Sequence, residues 1–275
     1  MQFDFQLLEQ FKKIVWDYYR QHGRPFAWRH ADDPYLIVVS EIMLQQTQTY
    51  RVEPKFDNFI IHFPTLQNLA QAELREVLLH WQGLGYNRRG KFLHELAKQV
   101  VTKYSGIIPS EPALLEELPG IGPATARSIC AFAFNKPTVF IETNIRTVFI
   151  HSFFPGQQKV HDKQLLPLIE ATVDADHARD WYYALMDYGV FLKKQLPNPS
   201  RKSAHHAKQS KFQGSDRQIR GAIVRALTKY AQLPQSELNI LLQNELNAQV
   251  ERTEPILAQM IQEGLVKKNN GSISI

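Results

Sequence analysis

Two glutamates stand out by their surroundings. Glu41 follows YLIVVS and precedes IML, so its carboxyl lies in one of the most apolar stretches of the chain, where desolvation favours the protonated acid. Glu142 heads the run FIETNIRTV, residues 140–148, one short loop after ELPGIGPATARSICAFAF. A carboxylate at a helix start is favoured in its ionised form by the helix dipole. Two carboxyl groups held in unlike states can divide acid catalysis from charge stabilisation. Each also has an ordinary reading, Glu41 as a capping or surface side chain and Glu142 as a first-turn acid. The elements that place them therefore matter.

Nearly every segment up to about residue 195 has helical spacing, and the bulk of the chain reads as all-α. The apolar run YLIVVSEIMLQQTQTYRV carries Glu41, and NIRTVFIHSFF follows Glu142. Between PALLEEL and PATARSICAFAF lies LPGIG, residues 118–122, a turn with glycines at alternate positions. Glycines allow a tight turn and close approach of a ligand, and Pro123 suits the first turn of the next helix. Free N–H groups there, with the helix N-terminus, make an anion site suited to a phosphate. The same pattern also serves as a plain interhelical connection.

At 275 residues, 44% hydrophobic and 21% charged, the chain is a folded globular protein of one large domain, or of a large and a small one. No apolar run approaches the roughly 18 to 20 residues of a membrane span. The N-terminal MQFDFQLLEQFKKIVWDYY places Asp4 and Glu9 inside its apolar pattern and reads as an amphipathic helix, not a signal peptide. An intracellular, soluble protein is expected. A single cysteine, Cys130, excludes an internal disulfide and any cysteine-ligated zinc or iron–sulfur site within one chain. The net charge of +5 favours a polyanionic partner only mildly.

From Lys193 to Phe212 the sequence KKQLPNPSRKSAHHAKQSKF has six Lys or Arg and no acid, and reads as an exposed basic linker. Three short helices follow, the first capped by Ser215 or Asp216, and Asn270-Gly271 suits the turn of a terminal β-hairpin. Residues 213–275 thus resemble a winged-helix module. Its third helix spends Ile256, Leu257, Met260 and Ile261 on a core and offers only Arg252 with clear DNA chemistry. Reading DNA, docking onto protein and plain structural support all stay open for it.

ELPGIGPATARSICAFAF followed by FIETNIRTV resembles the helix-hairpin-helix signature of the endonuclease III superfamily of DNA glycosylases. Within it, RPFAW at 24–28, SEIMLQQTQ at 40–48, WQGLGYNRRG at 81–90 and ALMDYG at 184–189 are most similar to the MutY-type adenine glycosylases, and the likeness covers residues 10 to 200. The resemblance implies a mainly α glycosylase domain over 1–212. Its six-helix core would span 30–134, and its second lobe would be formed by the N-terminal helix and 135–200. It also implies that Glu41 protonates the target adenine, that Trp28 stacks on the extruded base, and that Arg29 steers a carboxylate. Gln46 and Tyr86 would enter the duplex, with Arg88 and Arg89 on flanking phosphates. Leu118, Gly120, Gly122 and Thr125 would hold the strand at the hairpin, where a monovalent cation can also bind. Without the resemblance, Trp28 is a core aromatic and the arginines a solvated helix face.

Two departures shape the expected chemistry. Where bifunctional members carry a nucleophilic lysine this chain has Ala124, so no Schiff base and no strand-cleaving lyase step is expected. Where most relatives hold a four-cysteine cluster after ALMDYG, this chain has no cysteine, so no cofactor is expected; His205 and His206 alone are too few to replace it. Glu142 stands where the family has an aspartate, one methylene longer, with Asn144 placed to orient the carboxylate or a water. The region after residue 213 is too short and too helical for the family's usual 8-oxoguanine-reading domain. The expected function is a monofunctional glycosylase, intracellular and monomeric, acting in double-stranded DNA on adenine opposite 8-oxoguanine or guanine. A different base, such as uracil or thymine opposite guanine, is the runner-up, and an inactive lesion-binding protein is the rival of another class.

Overall fold

The computed structural model describes residues 4–206, 211–246 and 250–275. The chain forms α1 (Phe5–His22), α2 (Pro34–Leu44), α3 (Thr49–His62), α4 (Leu66–Gln71), α5 (Leu74–Trp81), α6 (Arg88–Lys103) and α7 (Pro112–Glu116). It continues with α8 (Pro123–Phe134), α9 (Thr143–Phe153), α10 (Asp162–Thr172) and α11 (Ala178–Gln195), then α12 (Asp216–Tyr230), β1 (Gln232–Pro234), α13 (Gln235–Leu246) and α14 (Val250–Gln262), and ends with β2 (Lys267–Asn269) and β3 (Ser272–Ser274). The fold is mainly helical, in line with the 3.6-residue spacing of the apolar positions. Two compact units are distinguished: Met1–Glu41, Pro109–Glu117 and Ile121–Lys208 in one, and Ile42–Ile108, Leu118–Gly120 and Gln209–Ile275 in the other.

In the first unit α11 is the central helix, packed by α1, α8 and α9. Phe11 of α1 wedges between Phe149, Phe153 and Trp181, with ring centroids 5.1, 4.9 and 6.1 Å away. Such tilted and edge-on pairs add to the burial of large apolar area. Gly189 of α11 lets α9 come close, because a Cβ there would lie 2.6 Å from the Asn144 carbonyl oxygen. Helix α8 ends at Asn135, whose left-handed φ of 52° an asparagine tolerates.

The basic stretch after α11 is only in part the exposed linker its composition suggests. Residues 199–202 form a 3-10 turn, Val160 bridges Ser203 in parallel, and Pro199, Ser200 and Ser203 are buried. Lys202 Nζ donates to the Pro155 carbonyl at 2.6 Å. Backbone pairing with the 155–161 segment, invisible in composition, outweighs the charge of the run. Residues 207–210 lie outside the described residues.

In the second unit α4 and α6 pack together and α5 lies against α6. The continuous apolar spacing of 35–52 reads as one element, yet the helix stops at Leu44 and restarts at Thr49. Between them Gln46 takes a left-handed φ of 55°. The C-terminal module has three helices and a sheet of order β1-β3-β2, all antiparallel. The hairpin turn falls at Asn270 and Gly271, both at positive φ as the Asn-Gly pair implies. Strand β1 escapes the sequence pattern, being three residues long and ending in Pro234. Ser215 is the cap position of α12. Ile256, Leu257 and Met260 fill the module's core as expected, and Leu78 of α5 belongs to the same core.

Candidate active site

Glu41 lies in the last two turns of α2, where Ile37, Val38, Val39, Ile42 and Met43 are all buried. The residue keeps partial exposure while its carboxyl group is enclosed. Ser128 Oγ of α8 is 2.5 Å from Glu41 Oε2 and 3.0 Å from the Thr125 carbonyl oxygen. A hydroxyl has one proton to give. With Glu41 protonated, Glu41 donates to Ser128 and Ser128 to Thr125; with Glu41 ionised, Ser128 turns its proton to the carboxylate. Burial pushes the Glu41 acid up to about 7; the serine bond opposes that rise and the charge of Glu142 adds to it.

Glu142 caps α9. Its Oε1 accepts from Asn144 N at 2.6 Å and Ile145 N at 3.0 Å, and its Oε2 accepts from Asn144 Nδ2 at 3.3 Å. Glutamate is an uncommon N-cap, and here the longer side chain folds back to reach the same N–H groups a shorter one would. Phe140 is buried against Tyr182, ring centroids 4.2 Å apart, and Tyr182 Oη donates to the Thr138 carbonyl at 2.6 Å, which fixes the approach to the cap. Burial raises the pKa of Glu142; Lys193, the two backbone N–H bonds and Arg146 oppose that rise without overturning it. The helix terminus acts in the direction the sequence implies but is outweighed by desolvation.

Lys193, counted in sequence as part of a basic linker, faces this site. Its Nζ donates to Asn144 Oδ1 at 2.7 Å, so an ammonium, a carboxamide and a carboxylate form a chain. The charged groups acting on Glu142 are Lys193 of α11 and Arg146 of α9, with Glu41 of α2 coupled to it as a like charge. Since Lys193 lowers the pKa of Glu142, its removal lets burial raise that pKa further. Lys193→Met is expected to move the acid limb of the pH–rate profile to higher pH, with partial rescue by Lys193→Arg; an unmoved limb in single-turnover assays would count against this.

Trp28 is buried and stacked on Phe26, centroids 4.9 Å apart at 8°. Arg29 does find a carboxylate, that of Asp187, with both guanidinium nitrogens at 2.7 Å from the two oxygens. Arg24 Nε adds a bond of 2.6 Å to the same side chain, and Arg29 lies 4.4 Å from the centre of the Tyr183 ring. Asp187 desolvated alone would be raised; the arginines instead bring it below its ordinary value. Asp187→Asn leaves the buried Arg29 without its counter-charge, and a loss of about 3 to 5 kcal/mol is expected in urea unfolding.

Ala124 is exposed on the first turn of α8, with Thr125 beside it half-buried. Gly122 stands at the α8 cap with φ −96° and open space where a Cβ would go. Gly120 is the glycine the turn requires: φ is +80° and a Cβ would meet Phe92 Cβ at 2.9 Å. Leu118 is buried, and Gln45 Nε2 donates to the Gly120 carbonyl at 3.2 Å.

In the second unit, Gln46 and Tyr86 both hold left-handed backbones, φ 55° and 47°. Each costs about 1 to 2 kcal/mol for a residue with a Cβ, the kind of strain that gathers at functional sites. Arg89 does not reach out to a phosphate. It donates to the carbonyls of Ile42, Met43 and Gln45 at 2.8, 2.9 and 2.5 Å, and to Thr47 Oγ1 at 2.9 Å. It also reaches the Leu84 and Gly85 carbonyls, both at 3.3 Å. Burial lowers its pKa to about 10. One cation thus ties the loop of Gln46 to the loop of Tyr86, because a broken helix end leaves carbonyls that need donors. Arg88 is exposed, its guanidinium 4.9 Å from the Phe92 ring.

Sequence reasoning missed Ser128, Asp187, Gly189 and Lys193. Asp187 and Gly189 lay inside the quoted ALMDYG, so a signal existed. Ser128 sits one helical turn after Ala124 with no signal of its own, and Lys193 was hidden by its basic neighbours.

Residues 39–168 match the HhH-GPD superfamily of base excision DNA repair proteins. An adenine DNA glycosylase of Mycolicibacterium smegmatis is 31% identical over 227 residues, 76% of this chain and 78% of that protein. The adenine DNA glycosylase of Buchnera aphidicola subsp. Baizongia pistaciae is 34% identical over 184 residues, but these are only 52% of its length, so the chain spans about half of that relative. A thymine/uracil-DNA glycosylase of Methanothermobacter thermautotrophicus is 28% identical over 186 residues, 84% of its length. Among solved structures, a thermostable thymine-DNA glycosylase aligns with a TM-score of 0.59 at 26% identity, over 67% of this chain and 86% of that one.

Proposed function

Because the chain belongs to the adenine DNA glycosylases of the HhH-GPD superfamily, we propose that it hydrolyses the N-glycosidic bond of an adenine paired with 8-oxoguanine or guanine. The base must leave the stack to be reached, so the substrate is the extruded nucleotide of a duplex. The observation that carries this reading is the pair of carboxyl groups in unlike surroundings, Glu41 raised to about 7 and Glu142 held by N–H donors at a helix start. Glu41 gives its proton to the purine, and the C1′–N bond breaks with its electron pair going to the base. Glu142 faces the positive sugar that forms, as a charge held in place before it is needed. Water then adds to C1′ and loses a proton, leaving an abasic sugar and free adenine. With Ala124 in place of an amine, no covalent sugar adduct forms there and the strand stays intact.

The proposed enzyme works without an iron–sulfur cluster. Cys130 is the chain's only cysteine, its buried thiol is raised to about 11, and its Sγ lies 3.2 Å from the Ser110 carbonyl oxygen. Such a thiol is a poor source of the thiolate a cluster needs. Among the described residues, no helix is long and apolar enough to cross a membrane.

The likeness to the thymine/uracil enzyme favours a second reading, a pyrimidine opposite guanine. A panel of duplexes with adenine opposite 8-oxoguanine, guanine or thymine, and with uracil or thymine opposite guanine, separates the two. Alkali-labile sites are expected in the first two duplexes only. Breaks confined to uracil or thymine would transfer the assignment, and binding without breaks would make the protein a lesion binder.

A further inference from the structure

Tyr86 is gripped by the C-terminal module. Arg217, in the first turn of α12, donates from a terminal nitrogen to Tyr86 Oη at 3.0 Å, and its guanidinium lies 5.7 Å from the ring centre. Arg89 approaches the same ring at 5.4 Å. The start of α12 is itself fastened, since Arg252 of α14 donates to the Gly214 carbonyl at 2.6 Å and to Asp216 Oδ1 at 2.8 Å. The module is seated on α5 and α6 by more than this bond. Leu78 enters its core, and Arg75 donates to the Thr228 carbonyl at 2.6 Å. Gln82 bonds the Thr228 hydroxyl, and Glu263 pairs with Arg220 while lying 4.0 Å from Arg88.

We infer that Arg217 is a positioning residue for the Tyr86 side chain, and that the C-terminal module is thereby a built part of the DNA-reading surface. The inference rests on the proposed function, which makes Tyr86 a side chain that enters the duplex. The strained backbone fixes where the Tyr86 Cβ points, and two torsions remain free. A charged donor on the phenol oxygen removes most of that freedom before DNA arrives. A preset side chain loses less entropy on insertion, which strengthens binding where insertion is required. Because insertion is needed only where the duplex is distorted, the effect is selective for such duplexes and not for DNA in general.

The full chain carrying Glu41→Gln, which keeps duplexes intact, is titrated with one duplex holding adenine opposite 8-oxoguanine and one holding adenine opposite thymine. Adding Arg217→Ala is expected to reduce the preference for the first about tenfold. Tyr86→Phe is expected to do the same, and the double variant to be no worse than either, with Arg217→Lys partly restoring the preference and thermal unfolding unchanged. Equal, multiplying losses on both duplexes, with a salt slope reduced by about one, would mark a plain phosphate contact and overturn the inference. So would an Arg217→Ala protein that binds like its parent. A parent that binds neither duplex, or both alike, would defeat the proposed substrate and this inference with it; a parent with a clear preference that ignores Arg217 would defeat the inference alone.

Discussion

Glu41→Gln is expected to slow single-turnover release of adenine by on the order of 1,000-fold, in the range general acids contribute, while leaving duplex affinity within about threefold. The amide keeps the shape and the neighbourhood of Ser128 but has no acidic proton to give. The same group predicts the alkaline side of the pH profile. Its pKa is raised to about 7 by burial, opposed by Ser128 and assisted by Glu142, and the protonated form is the active one. On this alkaline side kcat/KM should therefore fall about tenfold per unit above about 7. A flat profile from pH 6 to 9, or a Glu41→Gln protein within tenfold of the parent, would remove Glu41 from the chemistry.

Glu142→Gln should cost on the order of 100- to 1,000-fold in the same assay, because a neutral amide cannot face a positive sugar. The amide oxygen can still accept from Asn144 N and Ile145 N, so the cap survives in part and stability should fall by about 1 kcal/mol or less. The informative variant is Glu142→Asp. Both carboxylate oxygens are already engaged, at 2.6 and 3.0 Å by the helix N–H groups and at 3.3 Å by Asn144 Nδ2. Aspartate can keep the cap only by withdrawing its charge by about an ångström, a displacement that costs on the order of 100-fold. A rate raised tenfold or more with the same substrate choice would show that the longer acid is a defect, and that the surroundings have not adapted to it.

Sequence carried the helical class, the hairpin with Gly120 and both carboxylates, because each leaves a local trace: a period, a positive φ that needs glycine, an acid in an apolar run or at a helix start. It carried the Asn270-Gly271 turn for the same reason. What it could not carry was assigned by partners far along the chain. Arg89 reads as a basic surface residue beside Arg88, and only the carbonyls left over by the break at Gln46 turn it inward. Lys193 reads as part of a basic run and becomes a neighbour of Glu142 through the close approach of α9 and α11 at Gly189. The Arg29 guanidinium reads as a group that steers a carboxylate, but which carboxylate is set by Asp187, 158 positions away. Burial likewise reversed the net effect on Glu142, since a helix start is visible in sequence and desolvation is not.

The core that Leu78 shares with the C-terminal helices has an evolutionary consequence. Terminal domains are commonly gained and lost by recombination at seams where few apolar contacts cross. No such seam exists at residue 213 if the second unit buries one apolar cluster built from both sides of it. A lineage with this arrangement cannot trade the module for another reader in a single step, because the exchange would strip the side of α5 that the module covers. Change in this unit must then come by substitution, in small increments and within a fixed architecture.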